Sequence, residues 1–222
     1  MRISRLAPSR RVWIFDLDNT LHDATVRIFP AMHDQINAFL RREFGVDEDG
    51  ANRMREDFWL RYGTTLNGLM RHHGIHPRRF LAETHVFPEL GDLVVHENAL
   101  KHALARLGGM KLVFSNAPRH YVEGVLRAIG LARYFDAVYS IEDARYRGKP
   151  ALHGFRMLLR KHHLDPHRCA FIDDMLDNLR TAHRLGMSTV WVSALRRRAP
   201  FVDLRISSVI DLPRLVFRQA SA

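Results

Sequence analysis

An α/β fold, a doubly wound parallel sheet carrying a small inserted α-helical domain, is what this sequence predicts. Short apolar runs recur along the chain, and several stop abruptly at polar residues. The stretches between them carry apolar residues at helical spacing, giving a βαβ rhythm. That rhythm disappears from His22 to about His96, where helical stripes take over.

Taken in order, Val12–Phe15 reads as the first strand. Further strands are expected at residues 111–115, 137–141, 169–172 and 188–192, with a short one near 205–209. Residues 121–129 and the face made by Phe155, Leu158 and Leu159 read as helices between them. A helix over 179–185 should stop at Gly186, since glycine tolerates the left-handed turn that ends a helix. In the insertion, Met32, Ile36, Phe39, Leu40 and Phe44 share one helical face; Met54, Phe58 and Tyr62 share another. Leu66, Leu69, Met70, Phe80 and Leu81 continue the pattern. Such stripes usually pack a core. The expected organisation is an α/β core of residues 1–21 and 97–222, with a helical domain of residues 22–96 inserted after the first strand.

The run Trp13-Ile14-Phe15-Asp16-Leu17-Asp18-Asn19-Thr20-Leu21 sets two carboxylates two residues apart at the end of the first strand. Open α/β sheets bind their ligands at that edge. Side chains two apart can leave a strand end toward one site, hold a divalent cation, and divide nucleophilic from proton-transfer duty. Asp and Asn are also ordinary turn residues, so this run alone leaves an acidic turn open. Three later segments decide. The second strand ends in Ser115-Asn116-Ala117, Gly148-Lys149-Pro150 holds a lysine between two backbone-restricting residues, and the fourth strand stops at Asp173-Asp174. Parallel strand ends share one edge, so all four segments should converge there.

With those motifs, Asp16-Leu17-Asp18-Asn19-Thr20, Ser115, Lys149, and Asp173-Asp174 with Asn178, the chain resembles the haloacid dehalogenase superfamily phosphatases over about residues 12–193. The wording Phe114-Ser115-Asn116-Ala117 and Phe171-Ile172-Asp173-Asp174, with the helical insertion, is most similar to the pyrimidine 5′-nucleotidase branch. The resemblance implies a HAD-like core and a helical cap. It also implies a phosphoric monoester hydrolase with Mg²⁺ as cofactor and a small phosphorylated metabolite, a nucleoside monophosphate such as UMP or CMP, as substrate. Asp16 would be the nucleophile that forms an aspartyl-phosphate, and Asp18 the acid and then base. Mg²⁺ would be held by the Asp16 side chain, the Asp18 carbonyl and the Asp174 side chain, with Asp173 a direct or water-mediated ligand. Ser115, helped by the Asn116 amide, and Lys149 would bind the phosphoryl oxygens, Lys149 also keeping Asp16 ionised. Position 18 discriminates among relatives: threonine there would resemble the ion-pumping ATPases and tyrosine the dehalogenases, whereas aspartate implies a phosphatase. Many relatives have aspartate where this chain has Asn178; in the first turn of a helix, Asn178 can still orient a metal-bound water.

Leaving-group selection is expected from the cap, with Tyr62, Thr64, Thr65 and Asn67 as candidates to stack on and hydrogen-bond a base. An interhelical turn with Thr64 as N-cap explains the same stretch equally well. His72, His73 and His76, and the pair His162-His163, read as solvated helix ends rather than zinc ligands, since neighbouring histidines do not share a helix face. Arg196-Arg197-Arg198 reads as a solvated loop.

Composition agrees. The 222 residues suit a catalytic domain with a smaller insertion, and nothing resembles a transmembrane run or the apolar core of a signal peptide. The single cysteine, Cys169, falls in an expected buried strand and excludes an internal disulfide, pointing to the cytoplasm. The net charge of +10 favours anionic partners. A sugar-phosphate or phosphoglycolate phosphatase is the rival enzyme. A silent, basic nucleic-acid-binding protein is the rival from another class; it predicts degenerate motifs, yet Asp16, Asp18, Lys149 and Asp174 are all present.

Overall fold

The computed structural model describes residues 10–195 and 198–220, so two of the three arginines at 196–198 lie outside the described residues. Two compact units emerge. Ala24–Leu93 forms one; residues 10–23 and the described residues from Val94 onward form the other.

The second unit is built on a parallel sheet of β1 (Val12–Phe15), β2 (Met110–Phe114), β3 (Ala137–Tyr139), β4 (Cys169–Asp173), β5 (Ser188–Val192) and β6 (Leu204–Ile206). The spatial order is β3-β2-β1-β4-β5-β6. The chain winds outward from β1 to β3 on one side and from β4 to β6 on the other. This order reversal opens a crevice beyond the carboxyl ends of β1 and β4, where such sheets take ligands. All four residues of β1 and all five of β4 are buried, which explains why these strands read as unbroken apolar runs. Phe155 meets Phe114 and Phe171 edge-on at 5.2 and 5.1 Å, Phe114 and Phe171 lie tilted at 6.3 Å, and Tyr139 packs edge-on against Phe114. Each such ring contributes about 2–3 kcal/mol of burial.

Strand limits differ slightly from expectation. β3 ends at Tyr139 because Ser140 turns away, its amide and hydroxyl both donating to Asp143 Oδ2 at 2.9 and 3.0 Å. β6 covers Leu204–Ile206, starting one residue and ending three residues before the expected 205–209, since Ser208 already caps the following turn.

In the helical unit, α1 (Ile28–Phe44), α2 (Glu48–Tyr62), α3 (Thr65–His73), α4 (Pro77–Thr84) and the single turn α5 (Leu90–Leu93) follow one another. Asp47 caps α2 by accepting from Gly50 N at 2.7 Å. Asn37 of α1 donates to Glu48 Oε1 and Asn52 Oδ1 of α2 at 2.8 and 2.9 Å, pinning that hairpin from a buried position. Phe39 meets Phe80 edge-on at 5.2 Å, joining α1 to α4.

The remaining helices, α6 (Leu100–Arg106), α7 (Arg119–Ala128), α8 (Leu152–Lys161), α9 (Leu176–Arg184) and α10 (Leu212–Ala220), belong with the sheet. α9 terminates as expected, with Gly186 at φ 89° just beyond it. Among the described residues no helix is long and apolar enough to cross a membrane.

Candidate active site at the carboxyl edge of the sheet

Register brings the four motifs together. Phe15 pairs with Ile172 across β1 and β4, so the residues that follow, Asp16 and Asp173, leave neighbouring strand ends side by side. The Asp16 amide continues the ladder by donating to Ile172 O at 2.8 Å. Phe15 pairs with Val113 on the other flank, which sets Ser115 at the same edge.

Lys149 closes the arrangement from the loop before α8. Its Nζ donates to Asp16 Oδ1 at 2.5 Å and to Asp173 Oδ2 at 2.9 Å. The lysine side chain is 2% exposed, and the two carboxylates are 10% and 0% exposed. Its ammonium lies 5.3 and 5.5 Å from the ring centres of Phe114 and Phe171, so the aromatic cluster of the core also floors the site. The main chain of Lys149 is clamped from both sides: Asn116 Nδ2 donates to Lys149 O, and Lys149 N donates to Asn116 Oδ1, both at 2.8 Å. That clamp requires glycine at 148, where a Cβ would come within 2.1 Å of Asn116 Oδ1.

Asp16, Asp173 and Asp174 can each offer a carboxylate oxygen within 4.8 Å of one another. Burial raises the Asp16 carboxyl to about 6; the Lys149 charge opposes this, and Asp174 and Asp18 add to the rise. Asp173 is likewise raised to about 6 by burial, with Lys149 opposing. Asp174 also reaches about 6, through burial and then the Asp173 charge. The Lys149 charge favours the ionised form of Asp16, while burial outweighs it. One ammonium among three crowded carboxylates leaves negative charge uncompensated. An all-oxygen donor set of this kind fits a hard divalent cation such as Mg²⁺.

Asp173 is further fixed by the Met175 amide, which donates to Oδ1 at 2.7 Å, and by Asn178 Nδ2 at 3.0 and 3.1 Å from its two oxygens. Asn178, expected to orient a metal-bound water, here orients the Asp173 carboxylate itself. The Trp191 indole donates to Asp174 O at 2.9 Å, tying the acidic turn to β5. Asp177 stays at the surface, paired with Arg180. Ser115 is buried and its Oγ accepts from the Ala117 amide at 3.0 Å, leaving the O–H to donate.

Asp18 stands apart from that acidic trio. The chain bends at Leu17 and turns, Leu21 N donating to Leu17 O at 2.8 Å. Asp18 Oδ1 then accepts from Tyr121 Oη of α7 at 2.6 Å and lies 2.9 Å from His22 Nε2. Burial, and then the Asp18 charge, raises the Tyr121 phenol well above its ordinary range, which keeps it a donor. Sequence reasoning missed both partners. Tyr121 reads as one more apolar position of α7, and only the four-residue offset of His22 from Asp18 hints at a contact.

The candidates in the helical unit have local work. Thr64 caps α3 by accepting from Asn67 N at 3.1 Å, and Asn67 Nδ2 donates to Tyr62 O at 3.0 Å. Thr65 Oγ1 donates to Arg55 O at 3.1 Å, and Tyr62 Oη pairs with His72 Nε2 at 2.6 Å. His73 packs against Phe44 and Phe58. Cys169 is buried, donates to Asp165 O at 3.2 Å, and has its thiol pushed up to about 12 by burial, as suits a core residue rather than a nucleophile.

Comparison with known proteins agrees with this geometry. The chain is 26% identical over 200 residues to phosphate metabolism protein 8 of Saccharomyces cerevisiae, covering 82% of this chain and 61% of the yeast protein. It therefore spans less than two thirds of that curated relative. A HAD phosphatase from Thermococcus onnurineus superposes with a TM-score of 0.68 at 20% identity, over 93% of this chain and 97% of the other. The L-2-haloacid dehalogenase of Xanthobacter autotrophicus, with chloropropionic acid covalently bound, gives 0.61 at 18% identity, over 93% and 98%. These likenesses carry the fold. The family model for haloacid dehalogenase-like hydrolases matches residues 11–186, a span that holds all four motifs gathered at the sheet edge, and the chain belongs to that family.

Proposed function

We propose that this hydrolase is a Mg²⁺-dependent phosphomonoesterase that works through an aspartyl-phosphate at Asp16, with pyrimidine nucleoside 5′-monophosphates as its substrates. The observation that carries the reading is Lys149 Nζ bridging Asp16 and Asp173, with Asp174 in ligating range. Aspartate at position 18 favours phosphate esters over the dehalogenase chemistry of one structural neighbour. The name of the yeast relative, which refers to phosphate metabolism, is consistent with that substrate class.

In this proposal Asp16, Asp174 and the Asp18 carbonyl hold the cation, with Asp173 beside them. The cation supplies charge that lets a carboxylate approach a dianionic phosphate. Lys149 neutralises a phosphoryl oxygen, and Ser115 and the Asn116 amide hydrogen-bond to others. Asp16 attacks phosphorus while Asp18 gives a proton to the leaving oxygen. Asp18 then takes a proton from the water that releases phosphate. The helical unit is assigned the role of a cap that excludes water and selects the leaving group. Tyr62, Thr64, Thr65 and Asn67 are the first positions to vary there; because their polar atoms have local partners, a change in substrate preference should exceed any change in stability only at a residue that reads the base. Buried, unpaired Cys169 suits the proposed cytoplasmic setting.

The test is a panel of phosphate esters assayed with and without Mg²⁺. Preference for UMP and CMP over sugar phosphates and phosphoglycolate, lost on chelation, supports the proposal. Equal or reversed preference removes the nucleotidase assignment, and salt-sensitive RNA binding without phosphate release removes the enzyme itself.

A further inference from the structure

Asp18 has two oxygens, and the structure treats them differently. Oδ1 accepts from Tyr121 Oη at 2.6 Å and is 2.9 Å from His22 Nε2. Among the described residues no hydrogen bond reaches Oδ2, although the Asp18 side chain is 18% exposed and its two partners are buried. Tyr121 comes from α7, 103 residues away, and is 1% exposed, so its hydroxyl is delivered from a buried position on a helix. His22 follows the turn that carries Asp18, its side chain fully buried and Nδ1 without a partner among the described residues. The Nε2–H tautomer satisfies both observations: it donates to Oδ1 and leaves Nδ1 as a lone pair, which costs less to bury than an unpaired N–H.

We propose that Tyr121 and His22 are positioning residues that commit Asp18 Oδ1 and leave Oδ2 as the oxygen that carries the proton in phosphoryl transfer. The inference rests on the phosphomonoesterase reading and specifies it at the level of one atom. As the Asp16 carboxylate forms its bond to phosphorus, the ester P–O bond breaks. Its electron pair stays on the leaving oxygen, which takes the proton from Oδ2. In the second step water attacks phosphorus, its proton passes to Oδ2, and the pair of the breaking P–O bond returns to Asp16. Two donors on one oxygen fix the carboxyl torsion, so Oδ2 meets the leaving oxygen without a search over rotamers.

Leaving-group dependence tests this. Tyr121→Phe keeps the buried ring and removes only the hydroxyl; His22→Leu removes the second donor, and His22→Gln restores one. The readout is kcat/KM, which covers steps up to departure of the leaving group, for UMP and for 4-nitrophenyl phosphate. Nitrophenolate departs with little help from an acid, whereas the ribose alkoxide needs the proton. The expected result is a loss of about tenfold or more on UMP in Tyr121→Phe and His22→Leu, with about threefold or less on the nitrophenyl ester. Partial recovery is expected in His22→Gln, and no added loss from Tyr121→Phe in an Asp18→Asn background. Equal losses on both substrates, or none on either, overturn the positioning role while leaving the phosphatase reading intact. A wild-type protein that hydrolyses neither of these esters nor sugar phosphates or phosphoglycolate overturns the phosphatase reading instead.

Discussion

Lys149→Met removes the single ammonium that pairs with two buried carboxylates and keeps the aliphatic stem against Phe114 and Phe171. Its effect should depend on pH, with a sign that follows from the carboxyls. Asp16 and Asp173 sit at about 6 in the folded protein, against 3.8 as the ordinary value. A carboxyl raised in this way contributes stability below its unfolded value and loses it as pH rises through the folded value. A rise of that size corresponds to about 3 kcal/mol for one such group above pH 6. Lys149 opposes the rise in the wild type, so removing it pushes both carboxyls higher and enlarges the loss. At pH 5 most of the charge is already neutralised and little is left to compensate. The expected deficit is about 3–5 kcal/mol at pH 8, the range for breaking a buried pair, and about 1 kcal/mol or less at pH 5. Urea denaturation of metal-free wild type and variant at both pH values measures it. Turnover at pH 7.5 should fall by about a hundredfold or more. A deficit that is equal at the two pH values, or larger at pH 5, refutes the charge argument; near-normal turnover would hand the cation's role to another residue such as Arg147.

Further outcomes follow from the same geometry. Gly148→Ala drives a Cβ to 2.1 Å from Asn116 Oδ1 and 2.7 Å from Ile141 Cδ1. It should break the Asn116–Lys149 clamp, costing about 1–3 kcal/mol in urea melts and lowering kcat. Asp16→Asn should abolish turnover while the circular dichroism spectrum stays native, since the change is nearly isosteric. Mg²⁺ affinity, read by calorimetry, should weaken between pH 7.5 and 5, because carboxyls at about 6 bind protons that the metal must displace. Affinity constant across that window would show that these three carboxylates are not the ligands.

The sheet was legible because parallel strands are buried on both faces, so β1 and β4 read as apolar runs with polar stops. The meeting of Asp16, Lys149 and Asp173–Asp174 followed from that, since strand ends of like direction share an edge. What stayed hidden depends on contacts between distant residues that no local pattern encodes. Tyr121 has the spacing of a core position in α7, and its hydroxyl acquires a role only when α7 packs beside the β1 turn. Asn116 was expected to act through its backbone amide on phosphate; that its side chain also holds the backbone of Lys149, 33 residues later, left no mark in the sequence. Asn178 was expected near water and bonds Asp173 directly. Thr64 matched an N-cap and a base-reading residue equally well, and the local geometry supplies the cap.

The most direct measurement is chemical capture of the covalent intermediate. Rapid quenching of the enzyme during turnover of UMP with Mg²⁺, followed by borohydride, reduces an acyl phosphate to homoserine at the residue that carried it. Peptide mass spectrometry should find homoserine at position 16, at no other aspartate, and nowhere in the Asp16→Asn variant. Homoserine at position 18, or steady phosphate release with no reduced residue at any quench time, would contradict nucleophilic attack by Asp16.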